Sequence, residues 1–151
     1  MRAIILLAGV AMAASWGLTW FEPPFAGSDI SPMSLVSDGV IALSADAAWQ
    51  TWVFVGGFAA AGLAALSAIL GRGSAILALA AGLSPLVVLG DAILRADATR
   101  RDLGLPVPVD FGDLAQSWDV LQDFVRMGLY AYAGGAALLL LAGLSVFASR
   151  R

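Results

Sequence analysis

Residues 49–94 read WQTWVFVGGFAAAGLAALSAIL, then GRGS, then AILALAAGLSPLVVLGDAIL. Two apolar runs, 49–70 and 75–94, flank a four-residue connection that carries a single charge, Arg72. Each run has the length of a helix that crosses a hydrocarbon core of roughly 30 Å at about 1.5 Å per residue. Helix is the form such a run must take, because lipid offers no partner to an unpaired backbone N–H or C=O. The Gly71–Ser74 connection is short enough to fold the two runs into a tight antiparallel hairpin, with Ser74 placed to cap the second helix.

The same reading extends outward. Two further apolar segments, about 3–21 and 125–148, bring the expected number of spans to four in one domain covering 1–151, with connecting loops at 22–48 and 95–124. Composition agrees: 60% of the residues are hydrophobic, 13% are charged, and the mean hydropathy is +0.89. A water-soluble domain is usually about 45–50% apolar and about 25% charged, so lipid is the solvent that suits this chain. The Ala11-Met12-Ala13 triplet resembles a signal-peptide cleavage site, but the first segment is read as a retained helix.

Charge placement gives an orientation. All eight basic residues are Arg. Arg2, Arg72, Arg150 and Arg151 occupy three boundaries that hold no acid. All eleven carboxylates lie between Glu22 and Asp46 or between Asp91 and Asp123. By the positive-inside rule the Arg-only boundaries face the cytoplasm and the longer loops face outward. That is the arrangement of a multi-pass protein of the bacterial inner membrane with both termini inside. The five Trp support it. Trp16, Trp20, Trp49, Trp52 and Trp118 all fall at the predicted outer boundary, where an indole ring meets lipid and its N–H meets water.

The loops carry their own signals. In the first, Asp38-Gly39 lies between Met33–Ser37 and Val40–Ser44, a pattern that predicts a small β-hairpin. In the second, Asp91 with Arg95 and Asp97 with Arg101 are acid-first i,i+4 pairs that continue the third helix outward. Asp113 as N-cap, Gln116 at the capping-box position and Leu114, Trp118, Leu121 and Val125 at helical spacing predict an amphipathic helix before the fourth span. The expected fold class is therefore an all-α membrane fold: a four-helix transmembrane bundle with a small β-hairpin in the first extracytoplasmic loop and that amphipathic helix.

Chemistry-bearing residues are sparse. With no Cys and no His, disulfides, thiolate chemistry and most zinc, copper and iron sites fall away, as does the commonest general base. No pattern predicts a cofactor or a metal site, and no basic patch predicts nucleic acid. The acids of the first loop match no calcium-loop spacing. Small residues recur every four positions in Gly56, Ala60, Ala64 and in Gly57, Ala61, Ala65, a pattern that lets helices approach closely, within the bundle or against a partner. Asp91 with Arg95 near one end of the third span is either a polar functional site or a solvated salt bridge. Pro85, preceded by Ser84, interrupts the helical hydrogen-bond ladder near mid-membrane. Tyr130 and Tyr132 point to different faces of the last span, so one packs inward if the other looks outward.

The layout resembles the small four-span claudin-like membrane proteins. The points of resemblance are Trp16-Gly17-Leu18-Thr19-Trp20 at the end of the first segment, a structured first loop and a very short inner turn; the paired Cys of that family are missing. It also resembles small bacterial four-span proteins with aromatic residues and Pro at the end of the first span. The resemblance implies an interaction or structural role. Taken together, the chain is expected to be a non-enzymatic membrane protein, a structural, accessory or assembly subunit of a larger respiratory or photosynthetic complex. Its expected partners are lipids, other membrane subunits or its own copies. The alternative is a small oligomeric transporter or channel using Asp91, Arg95 and the Pro85 kink.

Overall fold

The computed structural model describes residues 1–23, 29–102 and 122–149. Five helices occur there: α1 Arg2–Ala14, α2 Pro32–Ser37, α3 Trp49–Ile69, α4 Ala75–Asp102 and α5 Met127–Ala148. Three of them, α3, α4 over Ala75–Arg95 and α5, are long and apolar enough to cross a membrane. The chain is a membrane protein built on transmembrane helices.

Four helices pack in a ring, each against two neighbours: α1 on α3, α3 on α4, α4 on α5, and α5 back on α1. Every neighbouring pair is antiparallel. Gly9 faces Ala61 and Ala65, Gly57 faces Ser84, Gly82 faces Ala136 and Leu140, and Gly135 faces Ala8 and Met12. Arg2 lies beside Gly71 and Gly73, and Met1 beside Ser145. Met1, Arg2, the Gly71–Ser74 turn and the end of α5 therefore share one end of the bundle, the Arg end. Trp16, Trp20, Trp49 and Trp52 lie toward the other, the Trp end. The tight α3–α4 hairpin forms as expected, with Gly71 and Gly73 at φ +77° and +47° and Ser74 Oγ accepting the Leu77 N–H at 3.4 Å.

Small residues make the close approaches. A Cβ built on Gly135 would lie 2.8 Å from the Ala8 carbonyl oxygen, and one on Gly82 would lie 2.8 Å from that of Ala136. The backbones touch there with no room for a side chain. Ala8, Ala61, Ala64, Ala78 and Ala81 are fully or nearly fully buried along the ring axis, together with Ile5, Met12 and Leu139. In lipid this contact is van der Waals packing of backbone on backbone, since apolar area alone gives helices little reason to leave the bilayer.

Two expectations are corrected. The first is the count of four spans. The first segment is helical for only 13 residues and ends at Ala14, not near Phe21. At about 20 Å it falls short of the roughly 30 Å hydrocarbon core. Side chains end it. Ser15 Oγ donates back to the Met12 carbonyl at 2.6 Å, and the Trp20 indole N–H donates to the Ser15 carbonyl at 2.8 Å. The N–H groups of Trp16, Gly17 and Leu18 bond three residues back, tightening the chain into turns. Beyond them it runs extended. Phe21 bridges both Ile30 and Val125, the Arg126 N–H donates to the Trp20 carbonyl at 2.8 Å, and the Arg126 Nε–H donates to Glu22 at 2.6 Å. This clasp joins the first loop to the start of α5.

The second correction is the β-hairpin: no strand ladder occurs among the described residues. Where the hairpin was expected, the chain forms α2. Ser31 and Ser34 make a reciprocal capping box, with Ser31 Oγ accepting the Ser34 N–H at 3.0 Å and Ser34 Oγ accepting the Ser31 N–H at 2.9 Å. Pro32 occupies the first helical position, where its missing N–H costs nothing. Asp38-Gly39 is the helix stop: Gly39 takes φ +73° and donates to the Val36 carbonyl at 3.1 Å. The expected amphipathic helix with Asp113, Gln116 and Trp118, and the Asp97–Arg101 pair, lie outside the residues whose side chains are described.

Candidate functional site

The bundle's polar and aromatic features gather toward the Trp end. Asp91 on α4 accepts from Gln50 Nε2 of α3 at 2.8 Å and from Arg95 Nε at 2.8 Å. The helical phase that puts Asp91 opposite the first turn of α3 also puts Arg95 one turn further along the same face. Asp91 is largely covered, whereas Arg95 is exposed. The structure thus joins Asp91 and Arg95 as the spacing predicts and adds Gln50, which sequence spacing could not supply because it lies 41 residues away on another helix. The other amide atom, Gln50 Oε1, is buried without a hydrogen-bond partner.

Trp16 and Trp20 are partly buried. They pack with Phe54, Phe58 and Tyr132 in one aromatic cluster against the core. Trp20 lies 4.7 Å from Tyr132 and Trp16 lies 5.0 Å from Phe58, edge-on; Phe58 stacks on Tyr132 at 5.1 Å. Tyr132 is buried against Ser84, and Tyr130 points outward. Trp49 and Trp52 are half exposed on the outer side of α3.

The two small-residue ladders of α3 part company. Gly57, Ala61, Ala64 and Ala65 face inward and are buried. Gly56 is exposed with nothing within 4 Å of a Cβ position, and Ala60 is half covered. Pro85 sits inside α4. The carbonyl it deprives of a partner, that of Ala81, accepts from Ser84 Oγ at 2.9 Å. The break is satisfied locally, so this carbonyl is already occupied.

One feature was not legible in the sequence. Between α4 and α5 an apolar groove of about 500 Å³ opens sideways, floored by Phe54 and Tyr132 and walled by Pro85, Leu89, Ala133 and Ala137. Small residues line it, but lipid-facing, partner-facing and groove-lining alanines look alike in a sequence. A second cavity, of about 310 Å³, lies at the Trp end beside the clasp and includes Thr19, Glu22, Asp29 and Arg126. No cluster of carboxylates suited to a metal ion occurs among the described residues.

These features define the class as a helical integral membrane protein with a closely packed interior and a laterally open groove. No protein-family model, curated protein or solved structure matches the chain.

Proposed function

We propose that this chain is a non-enzymatic protein of the bacterial inner membrane that packs as an accessory or assembly subunit against a larger membrane complex, of respiratory or photosynthetic type, or against its own copies. The observation that carries the reading is the division of α3. Gly57 is taken up inside the bundle, whereas its neighbour Gly56 leaves an open notch on the outward face, below the exposed Trp52 and beside Ala60. Such a notch admits the backbone of another helix. The Arg end, with Arg2 and Arg72, is assigned to the cytoplasm by the positive-inside rule.

A small transporter using Asp91, Arg95 and Pro85 is less well supported. Asp91 is already held by Gln50 and Arg95, and the carbonyl freed by Pro85 is bonded to Ser84. Gentle detergent extraction from the native membrane, followed by mass measurement of the intact particle, tests the subunit reading. The wild-type chain is expected to carry companion chains, and Gly56→Leu to lose them while still inserting in the membrane. A wild-type monomer without companions, or an unchanged set with Gly56→Leu, overturns it.

A further inference from the structure

We propose that Arg2 and the Gly71–Ser74 turn form a site for the headgroup of an anionic phospholipid, with the phosphate held by the guanidinium groups of Arg2 and Arg72. Folding brings these two charges together from segments remote in sequence. α1 runs antiparallel to α3, so its first turn lies against the turn that follows α3. The Arg2 stem crosses that turn. Its Cγ lies 3.4 Å from the position of a Cβ on Gly73, and its Nη1 lies 3.8 Å from that on Gly71. Gly71 and Gly73 hold the turn at φ +77° and +47°, backbone that residues with a Cβ rarely adopt. The Arg2 guanidinium is thereby set beside the residue that precedes Arg72.

Nothing described in the protein neutralises the pair. Both Arg are exposed, and neither forms an ion pair among the described residues. The carboxylates whose side chains are described, from Glu22 to Asp46 and at Asp91 and Asp123, lie toward the Trp end. There the contrast is direct, since Arg95 is paired with Asp91 and Arg126 with Glu22. Like charges gathered at one turn repel, and an anion between them removes the repulsion. A guanidinium offers five N–H donors in a fork that suits phosphate oxygens. The surroundings select a lipid over a free anion. Ile4, Leu70 and Ile76 are exposed on the segments that carry the two Arg, so apolar surface suited to acyl chains begins where the charge ends. In a membrane that boundary is the headgroup layer, where Arg is drawn to anionic lipid. The inference needs only that the helices lie in a membrane, and it is independent of any protein meeting the Gly56 face.

The test uses the full-length protein in detergent and native mass spectrometry, with phosphatidylglycerol and phosphatidylcholine of identical acyl chains as probes. Both carry a phosphodiester, but only phosphatidylglycerol has a net charge. Wild type is expected to hold one phosphatidylglycerol at least about tenfold more tightly, with the preference falling as salt is raised. Arg2→Gln and Arg72→Gln are each expected to lower the preference at least about threefold, and the two together to bring the lipids level. Arg126→Gln, at the Trp end, is expected to keep the preference. Glycerol 3-phosphate, which has the headgroup chemistry without the chains, is expected not to displace bound lipid. Thermal unfolding in detergent reports that each variant keeps its fold, and the salt dependence of wild type tests the proposal without any variant. Equal wild-type binding of the two lipids, a preference indifferent to salt, or one that survives the double Gln variant overturns the proposal. So does a single Gln variant without effect, an equal loss in Arg126→Gln, or displacement by glycerol 3-phosphate.

Discussion

The two halves of the bundle hold their helices together by different means. Toward the Arg end and through the middle, Gly9, Gly82, Gly135 and Gly143 bring backbones into contact, and buried alanines fill what little space remains. Toward the Trp end, Gly128 still meets the Leu18 and Thr19 carbonyls, and five aromatic rings cluster, Phe58 and Tyr132 buried and Trp16, Trp20 and Phe54 partly so. The first means gives dense, direct packing. Toward the Trp end the groove opens and α1 gives way to turns. The backbone after Ala14 is bonded by side chains and loop segments.

Four substitutions probe this contrast. Trp20→Ala removes the ring at the centre of the aromatic half and the indole cap on Ser15; it is expected to destabilise the fold by about 3–5 kcal/mol, read by thermal unfolding in detergent. Gly135→Val puts branched carbon where the α1 backbone lies and should cost about 1–3 kcal/mol by the same measurement. If Gly135→Val proves harmless, the Gly contact is not what holds that half together. Ser84→Ala leaves the Ala81 carbonyl beside Pro85 without its bond. A loss of about 1 kcal/mol is expected, with faster hydrogen exchange in α4 around the break. Gly56→Leu, one residue from buried Gly57, should change stability by less than about 0.5 kcal/mol. A large drop in its melting temperature would show that the outward face belongs to the fold rather than to a partner.

Particular elements show where reading the sequence succeeded. α3 begins at Trp49, where the apolar run begins, and α4 continues past the membrane to Asp102, as the acid-first pair at Asp91 and Arg95 implies. α2 was legible in principle. Ser31-Pro32-Met33-Ser34 is a helix start, but Asp38-Gly39 serves equally as a hairpin turn and as a helix stop, since both need Gly at positive φ. The halt of α1 at Ala14 was not legible. It depends on Trp20 folding back to Ser15 and on Ile30 and Arg126, remote in sequence, bonding the chain beyond it. Nor was Gln50 readable as the partner of Asp91.

By itself, the sequence determined that this chain lives in a membrane, where its three long apolar helices lie, and that its charged ends are distinct. Those follow from the cost of unpaired backbone and of charge in lipid, and that cost is counted residue by residue along the chain. The tertiary structure alone decided which small residues pack inside and which stay open, that Trp16 and Trp20 pack against the core, and that a groove remains between α4 and α5. Each of these depends on how one helix is rotated against its neighbours, and periodicity marks which residues share a face without saying what that face will meet.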